Sequence, residues 1–354
     1  MKSMRVSPGV VSALAAGVLF GASTPLAKRL LHGIDPWMLA GLLYLGSGVG
    51  LGTYKVLRSF LRVRGRGDVA LRGADRWWLT AAIAAGGIIA PVLMMYGLMR
   101  TAGSSASLLL NLEGVFSILI AWFVFRENFD RRVALGVLAI TAGALLLSVN
   151  GGLVWSNVIG PAAIAGACLG WALDNNLTRK VALYDVTQIA MLKGLAAGSV
   201  NVAIAALLGR SLPHAGDILA AGVVGLAGYG LSLVLFVIAL RYLGTARTGA
   251  YFSIAPFVGA LIAVGFLGEA VTVQLIAAGI LMIIGLWLHL TEHHEHAHTH
   301  VRLTHDHQHV HDAHHQHEHG AGQSGVEPHA HTHTHAPLRH AHPHYPDEHH
   351  RHEH

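Results

Sequence analysis

Two groups of residues could do chemistry. The first is a histidine-rich tail: 24 of the chain's 27 histidines fall between His293 and His354. The runs His293, His294, His296, His298, His300 and His305, His307, His309, His311 place an imidazole at nearly every second residue. So do His329, His331, His333 and His335. An unperturbed imidazole is mostly neutral near pH 7 and offers a lone pair. Such donors suit zinc, nickel, copper and cobalt, so transition-metal ions are the expected partners of residues 292–354. No four-ligand spacing stands out, which predicts a flexible, multisite chelator. Low hydrophobicity predicts disorder there. Asp, Glu, Pro and Thr interrupt the histidines irregularly, unlike an expression tag.

The second group lies inside apolar stretches, where an ionisable residue is costly and by default marks function. Glu113 sits near the centre of one such stretch and could bind a cationic group or take a proton. Asn111 is two residues away, off its helix face, and lines a cavity edge or bonds a neighbouring helix. Asp174 and Lys193 fall near facing ends of consecutive stretches. Lys193 is about 10 Å deep at 1.5 Å per residue, and its long stem can reach an interface. An ion pair between them is expected, either at a binding site or holding two helices in register. Asn175 adds a polar group beside Asp174. Together, Glu113, Asn111, Asp174, Asn175 and Lys193 are the candidate substrate-binding residues. His32, His214 and His289 are isolated and read as interfacial.

The elements that position these residues are membrane helices. Hydrophobic residues make up 53% of the 354-residue chain and charged ones 12%, against about 25% charged in soluble domains. Crossing the hydrocarbon core takes about 20 apolar residues. Ten candidate spans follow: 10–31, 36–57, 78–99, 104–125, 132–149, 157–176, 186–208, 218–240, 245–267 and 271–290. Lys2, Arg5 and the apolar run to Ser23 also fit a signal peptide, but the run continues past Ser23. The net charge of +5 does not imply nucleic acid, because Lys and Arg fall between apolar runs. Sixteen of them flank the spans on the side of the N-terminus and four on the other. The positive-inside rule then places both termini in the cytoplasm of a bacterial-type inner membrane. Gly46, Gly48, Gly50 and Gly52 read as helix packing or as a homodimer face. The one cysteine, Cys168, excludes a disulfide framework.

The chain also repeats. Phe20 to Arg29 returns as Trp171 to Lys180 at a shift of 151, matching an aromatic, a leucine and a basic pair. Arg100, Gly103 and Glu127 match Arg241, Gly244 and Glu269 at shifts of 141 to 142. The organisation expected is a five-helix repeat over 1–150, a second over 151–291, and a cytoplasmic tail over 292–354. Five spans per half is odd, so the halves are inverted, an arrangement that places a substrate site near the midplane. The expected fold class is an all-α membrane protein.

The run Ile254-Ala255-Pro256-Phe257, closed by Gly268-Glu269, and its counterpart Leu112 to Phe116, closed by Glu127, resemble the EamA family of drug/metabolite transporters. Gly114 and Arg126 stand where that family often has Pro and Gly. The resemblance covers about residues 8–290. It implies movement of amino acids, other metabolites or drugs, often outward, and no required cofactor. Glu127 and Glu269, at span ends, are expected to cap the following helices. No phosphate-binding Gly-x-x-x-x-Gly-Lys-[Ser/Thr] loop and no nucleophile–base pair occur in the spans, so neither an ATPase nor another enzyme is implied. The expectation is a secondary exporter of a small metabolite. The alternatives are a transition-metal transporter and a membrane metal buffer that transports nothing.

Overall fold

A computed structural model describes residues 8–60, 73–125, 131–149, 155–178, 186–291, 295–300, 303–309, 329–335 and 338–343. They divide into two units, Met1–Thr291 and Glu292–His354.

The first unit is helical. In the first half the helices are α1 (Pro8–Leu30), α2 (Pro36–Phe60), α3 (Gly73–Ala82), α4 (Ala90–Arg100), α5 (Gly103–Leu109), α6 (Leu112–Phe125) and α7 (Arg131–Ser148). In the second they are α8 (Trp155–Thr178), α9 (Val186–Leu207), α10 (Ala215–Gly225), α11 (Ser232–Phe252), α12 (Ala255–Leu267) and α13 (Val273–Leu290). Among the described residues nine helices are long and apolar enough to cross a membrane. The second expected span, α2, has the length at 25 residues but falls short in hydropathy, because glycines dilute it. Large apolar side chains such as Phe60, Leu207 and Val273 are more than three-quarters exposed. Water would not tolerate so broad an apolar surface, whereas lipid does.

Packing interleaves the halves. The first helix of each half leaves its own half: α1 packs on α11 and α12, and α8 packs on α4 and α6. Two further pairs join equivalents, α2 with α9 and α7 with α13.

Four expected spans differ from continuous α-helix. The third contains a π-helical segment, Ile83–Ile89, between α3 and α4, and the eighth contains its counterpart, Leu226–Leu231. The fourth, expected unbroken over 104–125, breaks at Leu110-Asn111. There the Asn111 side chain donates to the Leu108 carbonyl at 2.8 Å, competing with helix continuation. The ninth begins inside α11, which runs on from the eighth, and then breaks at Ser253-Ile254. Both irregularities thus recur in both halves, about 142 residues apart.

The span ends follow local chemistry. Asp35 caps α2 through the Trp37 amide at 2.9 Å, with Pro36 in the first turn. Gly268 ends α12 in the left-handed region, at φ 67°. Thr272 caps α13 through the Leu275 amide at 3.0 Å. The glycine row of α2 packs inside the bundle: a Cβ on Gly46 would strike Gly222 on α10, and one on Gly48 would lie 2.5 Å from the Leu195 nitrogen on α9.

The second unit holds four short strands, where the sequence predicts disorder: β1 (Glu295–His300), β2 (Leu303–His309), β3 (His329–His335) and β4 (Leu338–Pro343). β1 pairs with β4 and β2 with β3, both antiparallel. The His-x-His alternation has the two-residue period of a strand.

Gly48→Val should lower the thermal midpoint of the detergent-purified protein, at a cost of about 1–3 kcal/mol from overpacking. Gly52→Ala should be neutral, because a Cβ there meets Met191 only at 3.6 Å. A melt showing equal loss for both would refute this packing.

Candidate functional site

α8 carries the site. Asp174 lies on the face of α8 that meets the first π-helical segment, so close that Gly86 admits no side chain. Its carboxylate takes the Lys193 ammonium from α9 at 2.5 and 2.7 Å. The Thr178 hydroxyl, one turn on, donates to Asp174 at 2.8 Å. It also accepts from Lys193 at 3.3 Å. The expected ion pair is therefore present, with its side chains 7% and 16% exposed.

Asn175, next on the same turn, faces α6. Its amide donates to Glu113 Oε1 at 2.7 Å. Glu113 is half-buried and Asn175 exposed, and beside them Gly114 leaves open space. Four of the five candidate residues thus form two contacts on one turn of α8. The fifth, Asn111, is buried between the end of α5 and Met282 of α13, whose sulfur lies 3.6 Å from its amide.

One turn toward the opposite face stands an aromatic layer. Trp171 Nε1 and the Tyr44 hydroxyl both donate to the Gly86 carbonyl, at 3.0 and 2.8 Å. The Tyr44 ring lies 5.4 Å from that of Tyr229, and Tyr229 lies 6.1 Å from Phe20. Asn201 of α9, fully buried, donates to the Gly87 carbonyl at 3.1 Å. A π-helical turn frees backbone carbonyls, and these side chains satisfy them. Sequence reasoning passed over Tyr44 and Asn201. Their signal was a polar group inside an apolar span.

A second polar cluster lies at the α4–α5 junction. Lys28 donates to the Leu98 and Thr101 carbonyls at 2.7 and 2.6 Å, closing the end of α4. Glu269 accepts from the Gly103 and Ser104 amides at 2.6 and 2.8 Å, capping α5. The expectation that Glu269 caps the following helix is corrected: Thr272 serves α13, and Glu269 serves a helix of the other half. Glu127 lies outside the described residues. His289 meets the Val133 carbonyl at 3.2 Å, and His32 that of Arg29 at 3.1 Å. Among the described residues no three His, Cys, Asp or Glu side chains lie together as a metal site. Of the tail candidates, His293, His294 and His311 lie outside the described residues, and the others named above lie on β1, β2 and β3.

Comparison with known proteins gives one family, two relatives and one solved structure. The EamA-like transporter family matches residues 7–149 and 158–291. An uncharacterized transporter of Methanothermobacter thermautotrophicus is 28% identical over 306 residues, covering 80% of this chain and 87% of its own. A probable 4-amino-4-deoxy-L-arabinose-phosphoundecaprenol flippase subunit ArnE of Pseudomonas fluorescens is 40% identical over 85 residues, 24% of this chain and 74% of its own. One protein solved by crystallography superposes with a TM-score of 0.57 over 80% of this chain and 96% of its own. At 19% identity that likeness concerns the fold alone.

Asp174→Asn and Lys193→Met should each destabilise the protein by about 3–5 kcal/mol, because each leaves a buried charge unanswered. The double variant should recover much of the loss, read as a thermal double-mutant cycle. Additive losses would show that the two charges act independently.

Proposed function

The chain belongs to the EamA-like transporter family, and from that premise we propose that it is a secondary transporter exporting a small metabolite, such as an amino acid, by alternating access. The observation that carries this reading is Glu113: a partly exposed carboxylate in mid-span, held on one side by Asn175 at 2.7 Å. A carboxylate cannot face hydrocarbon at that depth without large cost, so its open side belongs to a polar path. An ammonium group is the natural complement. The second relative is named for an amino sugar on a lipid carrier, which agrees with an amine-bearing cargo. Asp174 and Lys193 neutralise each other beside it and leave Glu113 as the free charge of the cluster.

The proposed architecture is ten spans, with α2 as the tenth, in two inverted halves. The recurring π-helical segments and helix breaks support it, as does the exchange of first helices between halves. Both termini are assigned to the cytoplasm of a bacterial-type inner membrane, on the sixteen-to-four distribution of Lys and Arg. A transition-metal cargo has no support, since the described residues gather no metal ligand set.

Flux in proteoliposomes, over a panel of amino acids and amines with nickel, zinc and cobalt alongside, tests the reading. Wild-type protein should move an amine-bearing solute, and Glu113→Gln should cut that flux by about tenfold or more, the value of one charged hydrogen bond. Equal flux by the variant would remove Glu113 from the site. Truncation after Thr291 should leave insertion and metabolite flux unchanged. Metal flux that falls on truncation would replace this reading.

A further inference from the structure

The two ends of the helical bundle are built from corresponding pieces but packed differently. At the end opposite the N-terminus, α12 packs along both α1 and α5. Small residues permit the approach: a Cβ on Gly21 would strike the Ala255 carbonyl, and one on Gly259 would lie 2.7 Å from the Ser107 hydroxyl. Glu269 fastens this closure. Its two carboxylate oxygens accept from the Gly103 and Ser104 amides at 2.6 and 2.8 Å, so the second half holds the first turn of α5. Lys28, on the same junction, places its charge within electrostatic reach of that carboxylate. At the other end α6 stands for α12, α8 for α1, and residues 244–250 of α11 for α5, by the shifts that relate the halves. There α6 packs on α8, but among the described residues it makes no comparable packing on α11. Gly114 on α6 and Gly249 on α11 are exposed, and a Cβ on either would meet nothing within 4 Å. One end of the bundle is closed and its counterpart is open.

We propose that Glu269 is the latch of the transport cycle: it holds the bundle shut on the side opposite the N-terminus while the cavity at Glu113 opens toward the side of the N-terminus. The inference rests on the transporter reading above and adds the residue that gates and the side it gates. A helix cap is ordinarily supplied by the residue that precedes the helix, and it lasts as long as the helix does. This one comes from 165 and 166 residues away, in the other half, so it lasts only while the halves are apposed. It can also be released. Glu269 is partly exposed at the end of its span, where water can take over the carboxylate and both amides once α12 and α5 part. A polar contact sealed in hydrocarbon has no such exchange open to it. Glu269 therefore touches no cargo and acts on the cycle by fixing the position of α5 against α12.

The test uses the full-length protein with Cys168, its one cysteine, changed to alanine. Ser104→Cys sets a reporter thiol behind the latch, where the serine is 3% exposed, and an impermeant maleimide is applied from each side of the membrane. With Glu269 in place the reporter should label slowly from both sides. Glu269→Ala should speed labelling from the side opposite the N-terminus on the order of tenfold or more, since a hydrogen bond to a charged group is worth at least that factor. Unchanged labelling, or an equal rise from both sides as general loss of packing gives, would overturn the latch. A disulfide gives a second reading that does not depend on that variant. A Cβ on Gly103 would lie 3.4 Å from that of Ala263 on α12, close to the spacing of a disulfide. Gly103→Cys with Ala263→Cys should therefore lock α5 to α12 on oxidation, stopping flux in proteoliposomes, and reduction should restore it. Full flux through the locked protein refutes the proposal. The labelling response without flux of any solute would keep the latch and remove the transporter reading instead.

Discussion

A peptide group released from its helix inside hydrocarbon must find a partner within the protein, because lipid offers none. That constraint organises the centre of this bundle. The π-helical segment Ile83–Ile89 frees carbonyls at mid-span, and three helices send donors to meet them. Tyr44 comes from α2 and Trp171 from α8, both to Gly86. Asn201 comes from α9 to Gly87. These helices must therefore meet at the segment, and Gly86 and Gly87 allow them to approach. The aromatic layer from Trp171 through Tyr44 and Tyr229 to Phe20 follows from that convergence, and the charged cluster on α8 lies one turn below it.

The same rule explains the polar residues at the other irregularity. Between α4 and α5 the chain leaves a helix and enters another, exposing carbonyls at one end and amides at the next. Lys28 answers the first and Glu269 the second. The basic residue at the end of the first span and the closing Gly-Glu of the ninth thus have a single purpose. Gly268 turns the chain out of α12, and Glu269 then reaches across to the opposite half.

The apolar spans were legible because about 20 apolar residues have few other uses, and most helix ends fall within a few residues of those expected. The Asp174–Lys193 pair was legible too, because the two depths agreed, although α8 and α9 barely touch: each packs on the first π-helical segment, and the long lysine stem spans the gap. Partners far apart in the chain were not. Glu113 and Asn175 are 62 residues apart, and Glu269 and Gly103 are 166 apart. Nothing in their spacing selects one partner over another. The π-helical segments left only a trace in the glycines at 86, 87, 228 and 230, since a helix of that kind has no hydrophobic period of its own. The break at Asn111 was hidden by the apolar run around it. The tail histidines displayed their alternation openly, but low hydrophobicity pointed to disorder, whereas the described segments pair as antiparallel strands.

Because the halves correspond, the places where they differ carry information. Asp174 stands against Gly86 as Ser23 stands against Gly228, where an added Cβ would lie 2.5 Å from the serine's own. One position is charged and answered by Lys193; the other is a small hydroxyl that donates to the Phe20 carbonyl at 2.6 Å. Glu113, on α6, likewise corresponds to Ala255, the first residue of α12. A bundle with identical halves would favour neither of its two exchange-related arrangements. Here the corresponding positions differ in charge, with Glu113 on the first half and Asp174 and Lys193 on the second, and each arrangement would surround those charges with different neighbours. The free energies of the two arrangements therefore differ by what Asp174, Lys193 and Glu113 gain or lose in each. A solute that binds Glu113 can shift that balance only through its own difference in affinity. Under the proposed alternating access, this asymmetry would be the physical link between occupancy of the proposed site and the side to which the bundle opens.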